Sequence, residues 1–432
     1  MRQDVLVRGL MMAGLLAAQV VSAQIVKSAP QLDPAAYIAQ VQQDLAALRG
    51  LDFKHAVPVA RQTPEDLGRY MDREMARDMP EALSANFGKL VKRLGLYRGP
   101  ELGNLRDTMR MVMTSQVAAY YDPDTERIWV LVDAGSDEAE GLVYAHELYH
   151  AMQDQYFDLQ AYLPEHNKLD ADHILARTAV VEGEATYIHT MWVLRNALKS
   201  TPPRLLVAPV IQMQANLSIE QMREMAGGEG GAAADMDQVP PFILETLMGN
   251  YMKGAAFVFA IQEKGWPEVE KLYREYPPQS TEQILHPEKW FAREGVSTIS
   301  WPDLGKQRAL GDWELIDDDV MGEIQWRIVF KAQGQADGDA AAAGWDGDRY
   351  AVFKRKGSDE TLMLLRTAWD SEAEATQFVD AYRRALAVKY EGASEPVSIE
   401  QQGSDVFIVE GGRQADLEAM MKVVKQSKKQ RG

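Results

Sequence analysis

From Asp33 to Met113 apolar residues recur three and four apart, the period of helices that bury one face. Asp33-Pro34 and Thr63-Pro64 each set proline just inside a polar residue, which predicts two helix starts. The period then changes. Val117-Ala118-Ala119-Tyr120-Tyr121 and Arg127-Ile128-Trp129-Val130-Leu131-Val132 flank the turn-forming Asp122-Pro123-Asp124-Thr125, predicting a β-hairpin within Ser115 to Val132. Helical periodicity returns from about Ser136 to Tyr156 and from Lys168 to Leu198, where Pro202-Pro203 ends it. Gly227-Gly228-Glu229-Gly230-Gly231 reads as a surface loop, and helices resume from Phe242 to Lys264.

Near Leu310 the character shifts again. Arg349 to Lys354, Thr361 to Thr367 and Ser404 to Val409 are strand-like. Ser371-Glu372-Ala373-Glu374 is a capping box opening a helix to about Tyr390, and a last helix runs to about Lys425. The expected fold class is α+β: a mainly helical domain carrying a hairpin over residues 24–310, then a small α+β domain over 311–432. No repeat of 20 to 50 residues is evident.

The first residues follow a different logic. Arg2 and Arg8 precede an apolar run from Leu10 to Val21, and Val21-Ser22-Ala23 offers small residues for cleavage. Residues 1–23 therefore predict an export signal, placing the mature chain in the periplasm or outside the cell. The run is short for a membrane span, and no later stretch reaches 18 apolar residues. A formal net charge of -18 argues against nucleic acid or an anionic membrane as partner. With no cysteine, disulfides, thiolate metal sites and thiol nucleophiles are excluded.

Against that background one motif stands out. His146-Glu147-Leu148-Tyr149-His150 is H-E-x-x-H, and on a helix residues four apart share a face, so both imidazoles can meet one Zn²⁺. Glu147 is placed to act as general base on a metal-activated water. With seven histidines in 432 residues the chance expectation for this motif is only about 1%. Leu142, Ala145, Leu148 and Met152 form an apolar stripe that carries the histidines inward.

A catalytic zinc needs a third protein ligand and an open fourth position. Val181-Glu182-Gly183-Glu184-Ala185-Thr186-Tyr187 resembles the N-E-G-x-A-x-Y element of gluzincin aminopeptidases, with Val181 in place of the usual Asn. That resemblance implies Glu182 as third ligand, with Gly183 letting the two helices approach closely. Glu184 is the rival. If Glu182 faces the metal, Glu184 is expected at the helix surface or paired with Arg177. Thr186, His189 and Asp154 are candidates to orient a ligand imidazole. His55, His166 and His173 show no partner pattern.

Pro277 to Trp290 is unusual in composition. Ser280 and Gln283 form a capping box on a short helix stopped by Pro287. His286 is a candidate donor to a developing oxyanion, with Tyr120 and Tyr121 as alternatives. Together with Gln116 to Pro123, His146 to Gln155 and Val181 to Ala185, this stretch resembles an uncharacterised group of bacterial exported proteins classed as metallopeptidases. Gly344-Trp345-Asp346-Gly347-Asp348-Arg349-Tyr350 adds a weaker match. The expectation is a zinc metallopeptidase acting on a peptide or protein, the hairpin supplying an edge strand for extended substrate. The alternatives are a non-enzymatic exported zinc module, for which His189 is the nearby fourth ligand, and a zinc hydrolase of other amides or esters.

Overall fold

A computed structural model describes residues 34–78, 81–100, 102, 107, 119–131, 137–164, 168–225 and 239–432. The expected export signal, the Gly227–Gly231 loop and His166 lie outside the described residues, as do parts of the hairpin flanks and of the helical run to Met113.

The architecture is α+β. The chain opens with α1 (Pro34–Arg49), β1 (Val59–Gln62), α2 (Pro64–Asp78) and α3 (Glu81–Arg93), followed by the hairpin strands β2 (Ala119–Asp122) and β3 (Arg127–Leu131). The sequence pattern does not announce β1, whose four residues carry no alternation. It joins β3 in parallel, giving the order β1-β3-β2 and leaving β2 at an edge.

The two helices with the metal motifs come next: α4 (Asp137–Phe157) and, after the short α5 (Leu159–Tyr162), α6 (Ala171–Leu198). The Asp170 side chain caps α6 by accepting from the His173 amide. Every residue from Thr178 to Val193 is buried, so α6 is a central helix enclosed on all sides rather than an amphipathic one. Around it lie α7 (Arg204–Ala215), α8 (Ile219–Met225), α9 (Pro241–Met248), α10 (Gly254–Gln262), α11 (Trp266–Arg274), α12 (Thr281–Leu285) and α13 (Pro287–Ala292). A single π-helical turn, Gly249–Lys253, links α9 to α10.

Closest to α6 is α10. A Cβ on Gly183 would fall 2.2 Å from the Gly254 carbonyl carbon, and one on Gly254 would fall 2.1 Å from the Ala179 carbonyl oxygen. The glycine after Glu182 thus admits α10, not the H-E-x-x-H helix. The reason is that Glu182 and its neighbour point to different sides of the same helix.

Beyond β4 (Thr298–Ser300), the chain builds β5 (Trp313–Asp319), α14 (Gly322–Ala332), α15 (Gly338–Ala342), β6 (Trp345–Arg355), β7 (Thr361–Trp369), α16 (Glu372–Lys389), β8 (Val397–Gln402), β9 (Asp405–Gly411) and α17 (Leu417–Lys425). The strands form an antiparallel sheet in the order β5-β6-β7-β9-β8. Ser371 caps α16 through the Glu374 amide, as its capping box predicts. A final strand, β10 (Lys428–Gln430), returns to pair with β4.

Packing does not pause where the period changes. Leu67, Phe87 and Leu90 of the amino-terminal helices share one apolar cluster with Phe242, Trp326, Trp369 and Phe378. Arg93 reaches across to Glu395, Glu410 and Tyr390. At the start of α6, Asp172 accepts from the Thr281 amide and hydroxyl, while Asp348 accepts from Met321, Gly322, Trp326 and Trp345. Gly322 has φ +75° and a Cβ there would meet Asp172, so this junction requires glycine.

Gly183→Ala and Gly254→Ala obstruct the same crossing from opposite sides, and each is expected to cost about 2–3 kcal/mol in chemical denaturation. A loss below the measurement error in both would contradict the crossing. Burial also raises Asp172 well above its ordinary range and Asp348 to about 6. Between roughly pH 4 and pH 6 the folded chain then holds protons that the unfolded chain has released, so stability falls as pH rises through that window. The urea midpoint is expected to be higher at pH 5 than at pH 7, and the reverse order would refute the assignment.

Candidate metal centre

On α4 every residue from Tyr144 to Met152 is buried, which carries His146, Glu147 and His150 into the interior. His146 Nε2 and His150 Nε2 lie 3.0 Å apart, and Glu182 Oε2 of α6 sits 3.3 Å from the first and 3.2 Å from the second. Donors bonded at about 2.0–2.1 Å around a tetrahedral ion stand roughly 3.3 Å apart, so this triangle has the dimensions of one face of a zinc site. His146 Nδ1 and Glu182 Oε1 are buried without a hydrogen-bond partner among the described residues.

Electrostatics follow from burial and proximity. Burial holds His146 below its ordinary range. Burial acts on His150 in the same sense, but the Glu182 carboxylate outweighs it and lifts that imidazole. Glu182 is raised by burial and drawn down further by the two histidines, ending below the usual carboxylate range. Burial pushes Glu147 up to about 8.

Glu147 is held by the neighbouring sheet. Its Oε2 accepts from the Tyr121 amide at 2.7 Å, while Oε1 is buried and has no partner among the described residues. The hairpin therefore does present an edge strand beside α4, yet at Tyr121 that edge serves the carboxylate. The Tyr121 hydroxyl donates to Asp154 at 2.8 Å, and the Tyr120 ring is buried against Tyr70.

The expected surface position of Glu184 is wrong. It is fully buried and bound by Arg49 Nε at 2.9 Å, Tyr149 at 2.7 Å and Tyr273 at 2.6 Å. Arg177 instead donates to the Tyr162 carbonyl. Sequence spacing could not reveal this partner, because Arg49 lies on α1, 135 residues away. Nor does Asp154 reach a ligand imidazole: that place falls to Gln153, whose Oε1 lies 2.8 Å from His150 Nδ1.

His286 is not a member of the triangle. Its Nε2 lies 3.1 Å from Glu323 and its Nδ1 3.7 Å from Glu288. Pro287, read as a helix stop, begins α13 and turns His286 into the joint between two short helices. His189 does lie alongside, its ring centroid 6.2 Å from that of His146, and Thr186 is buried on the same face of α6. His55 and His173 pair with Glu126 and Asp170. On the remaining side is the π-turn, which periodicity reads as uninterrupted helix. Its Tyr251 ring is stacked 6.3 Å from His146, and both amide atoms of buried Asn250 have no partner among the described residues. Such turns recur at functional sites.

A family profile described as a domain of unknown function (DUF8575) matches residues 311–421, which takes in the five-stranded sheet and none of the triangle. No curated protein matches the chain, and no solved structure does.

The buried Arg49–Glu184 pair generates a stability prediction. Arg49→Met leaves Glu184 buried without its cation and is expected to cost about 3–5 kcal/mol. Adding Glu184→Gln removes the stranded charge and should restore part of that loss in a denaturant titration. A double variant no more stable than Arg49→Met would show that the charge is not what matters.

Proposed function

We propose that this chain is a zinc-dependent hydrolase, most simply a metallopeptidase, with His146, His150 and Glu182 holding the ion and Glu147 as general base. The observation carrying this reading is the donor triangle of 3.0–3.3 Å with the unpaired Glu147 Oε1 buried in the same interior. Bound there, zinc supplies Lewis acidity, lowering the pKa of water and polarising a carbonyl. Glu147 takes the proton of the attacking water on Oε1 and returns it to the departing amine, while the Tyr121 amide fixes the carboxylate through Oε2. The group has three members among the described residues, which suits an open catalytic site better than the four-ligand closure of a structural zinc. Export to the periplasm or exterior rests on the Arg2 to Ala23 pattern.

Purified protein is expected to carry about one zinc by metal analysis, lost in His146→Ala and His150→Ala. Glu182→Ala should weaken zinc binding sharply. Glu147→Gln should retain zinc while hydrolysis in a peptide-library digest drops about 10²–10⁴-fold. Stoichiometric zinc in both histidine variants, or wild-type cleavage by Glu147→Gln, would defeat the assignment.

A further inference from the structure

We infer that Gln153 is a positioning residue that fixes the proton of His150 on Nδ1, and that the Arg49–Glu184 pair is the anchor that makes Gln153 able to do so; this rests on His150 being a metal ligand.

Which atoms can donate decides how the Gln153 amide is oriented. Gln153 Nε2 faces the Val181 carbonyl at 2.9 Å, a Glu184 oxygen at 3.2 Å and the Tyr273 hydroxyl at 2.8 Å. A carbonyl and a carboxylate only accept, and Tyr273 already donates its proton to Glu184. The amide therefore has one satisfiable orientation, NH₂ toward these three and Oε1 toward His150. Reversing it would set an oxygen against a carbonyl and a carboxylate inside the protein. Oε1 can only accept, so the imidazole nitrogen 2.8 Å away must carry a hydrogen. With Nδ1 protonated, Nε2 is the nitrogen with a lone pair to give, and it is Nε2 that faces His146 and Glu182.

Glu184 can fill this role because its own charge is met. Arg49 is 1% exposed and Glu184 0%, and Tyr149 and Tyr273 each give Glu184 a further donor. A chain of hydrogen bonds thus runs from α1 to α6, across to α4, and ends on a ligand ring. Partners of this kind govern metal affinity by orienting the ring and fixing its tautomer.

Histidine ¹⁵N NMR of the wild-type protein, metal-free and zinc-loaded, reads His150 Nδ1 directly. The expected result is a protonated Nδ1 in both states, its hydrogen exchanging slowly with water. An unprotonated Nδ1 in either state overturns the proposal whatever the zinc affinity. Should wild-type protein bind no zinc, the hydrolase reading fails while the Nδ1 signal still judges the role of Gln153. In Gln153→Met, chelator competition should show zinc affinity 10–100-fold weaker, with Nδ1–H exchange at least about 10-fold faster. The thermal midpoint of the metal-free variant separates this from general destabilisation. Unchanged exchange and affinity within twofold of wild type would reduce Gln153 to packing.

Discussion

Two carboxylates sit buried within one turn of the same helix, and most of the structure around α6 answers that fact. An uncompensated buried charge is too costly to keep, so each must find its own partners. Glu184 finds an arginine and two tyrosines; Glu182 finds two imidazoles. Because the residues are two apart, their side chains leave α6 in different directions and meet different side chains. Helix α4 meets both, with His146 and His150 for Glu182 and Tyr149 for Glu184, while α1 and α11 add Arg49 and Tyr273 on the Glu184 side. The crossing of Gly183 and Gly254 closes a third side with backbone alone, where a side chain would not fit.

The same arrangement gives the sheet its role. An edge strand ordinarily exposes unpaired amides. In β2 the Tyr121 amide is spent on Glu147, so the strand orients a carboxylate through one of its oxygens and leaves the other without a protein partner. Opposite, the π-turn brings Tyr251 beside His146 with the unpaired amide of Asn250 next to it in sequence. The triangle is thus bounded by a helix, a strand edge and an irregular turn, each contributing a different type of group.

Local chemistry was legible in the sequence wherever it depended on residues a few positions apart. The side-chain caps at Ser280 and Ser371, the spacing of His146 and His150, and the hairpin about Asp122 all depend on such short separations, and each is present. Illegible were the contacts that cross the chain. Nothing near Glu184 points to Arg49, and nothing in Val59–Gln62 reveals that it would pair in parallel with β3. The partner of His286 is hidden for the same reason: nothing around it in the sequence points to Glu323, which lies 3.1 Å from its ring. Gln153 stands out less than Asp154 in the sequence because a neutral amide carries no charge signal. Its importance lies in being unable to turn around.

The core shared across residue 310 has a consequence for how the molecule is made. Arg93 and Glu410, which meet in that core, are 317 residues apart along the chain. At 5–20 residues per second a ribosome needs roughly 15 to 60 s to supply the second after the first. Throughout that interval the apolar faces of α2 and α3 have no sheet to cover them. The strand that pairs with β4, Lys428–Gln430, is made later still. Helices α2 and α3 are therefore born into a molecule that cannot yet close, and their lasting burial waits on a sheet made hundreds of residues later.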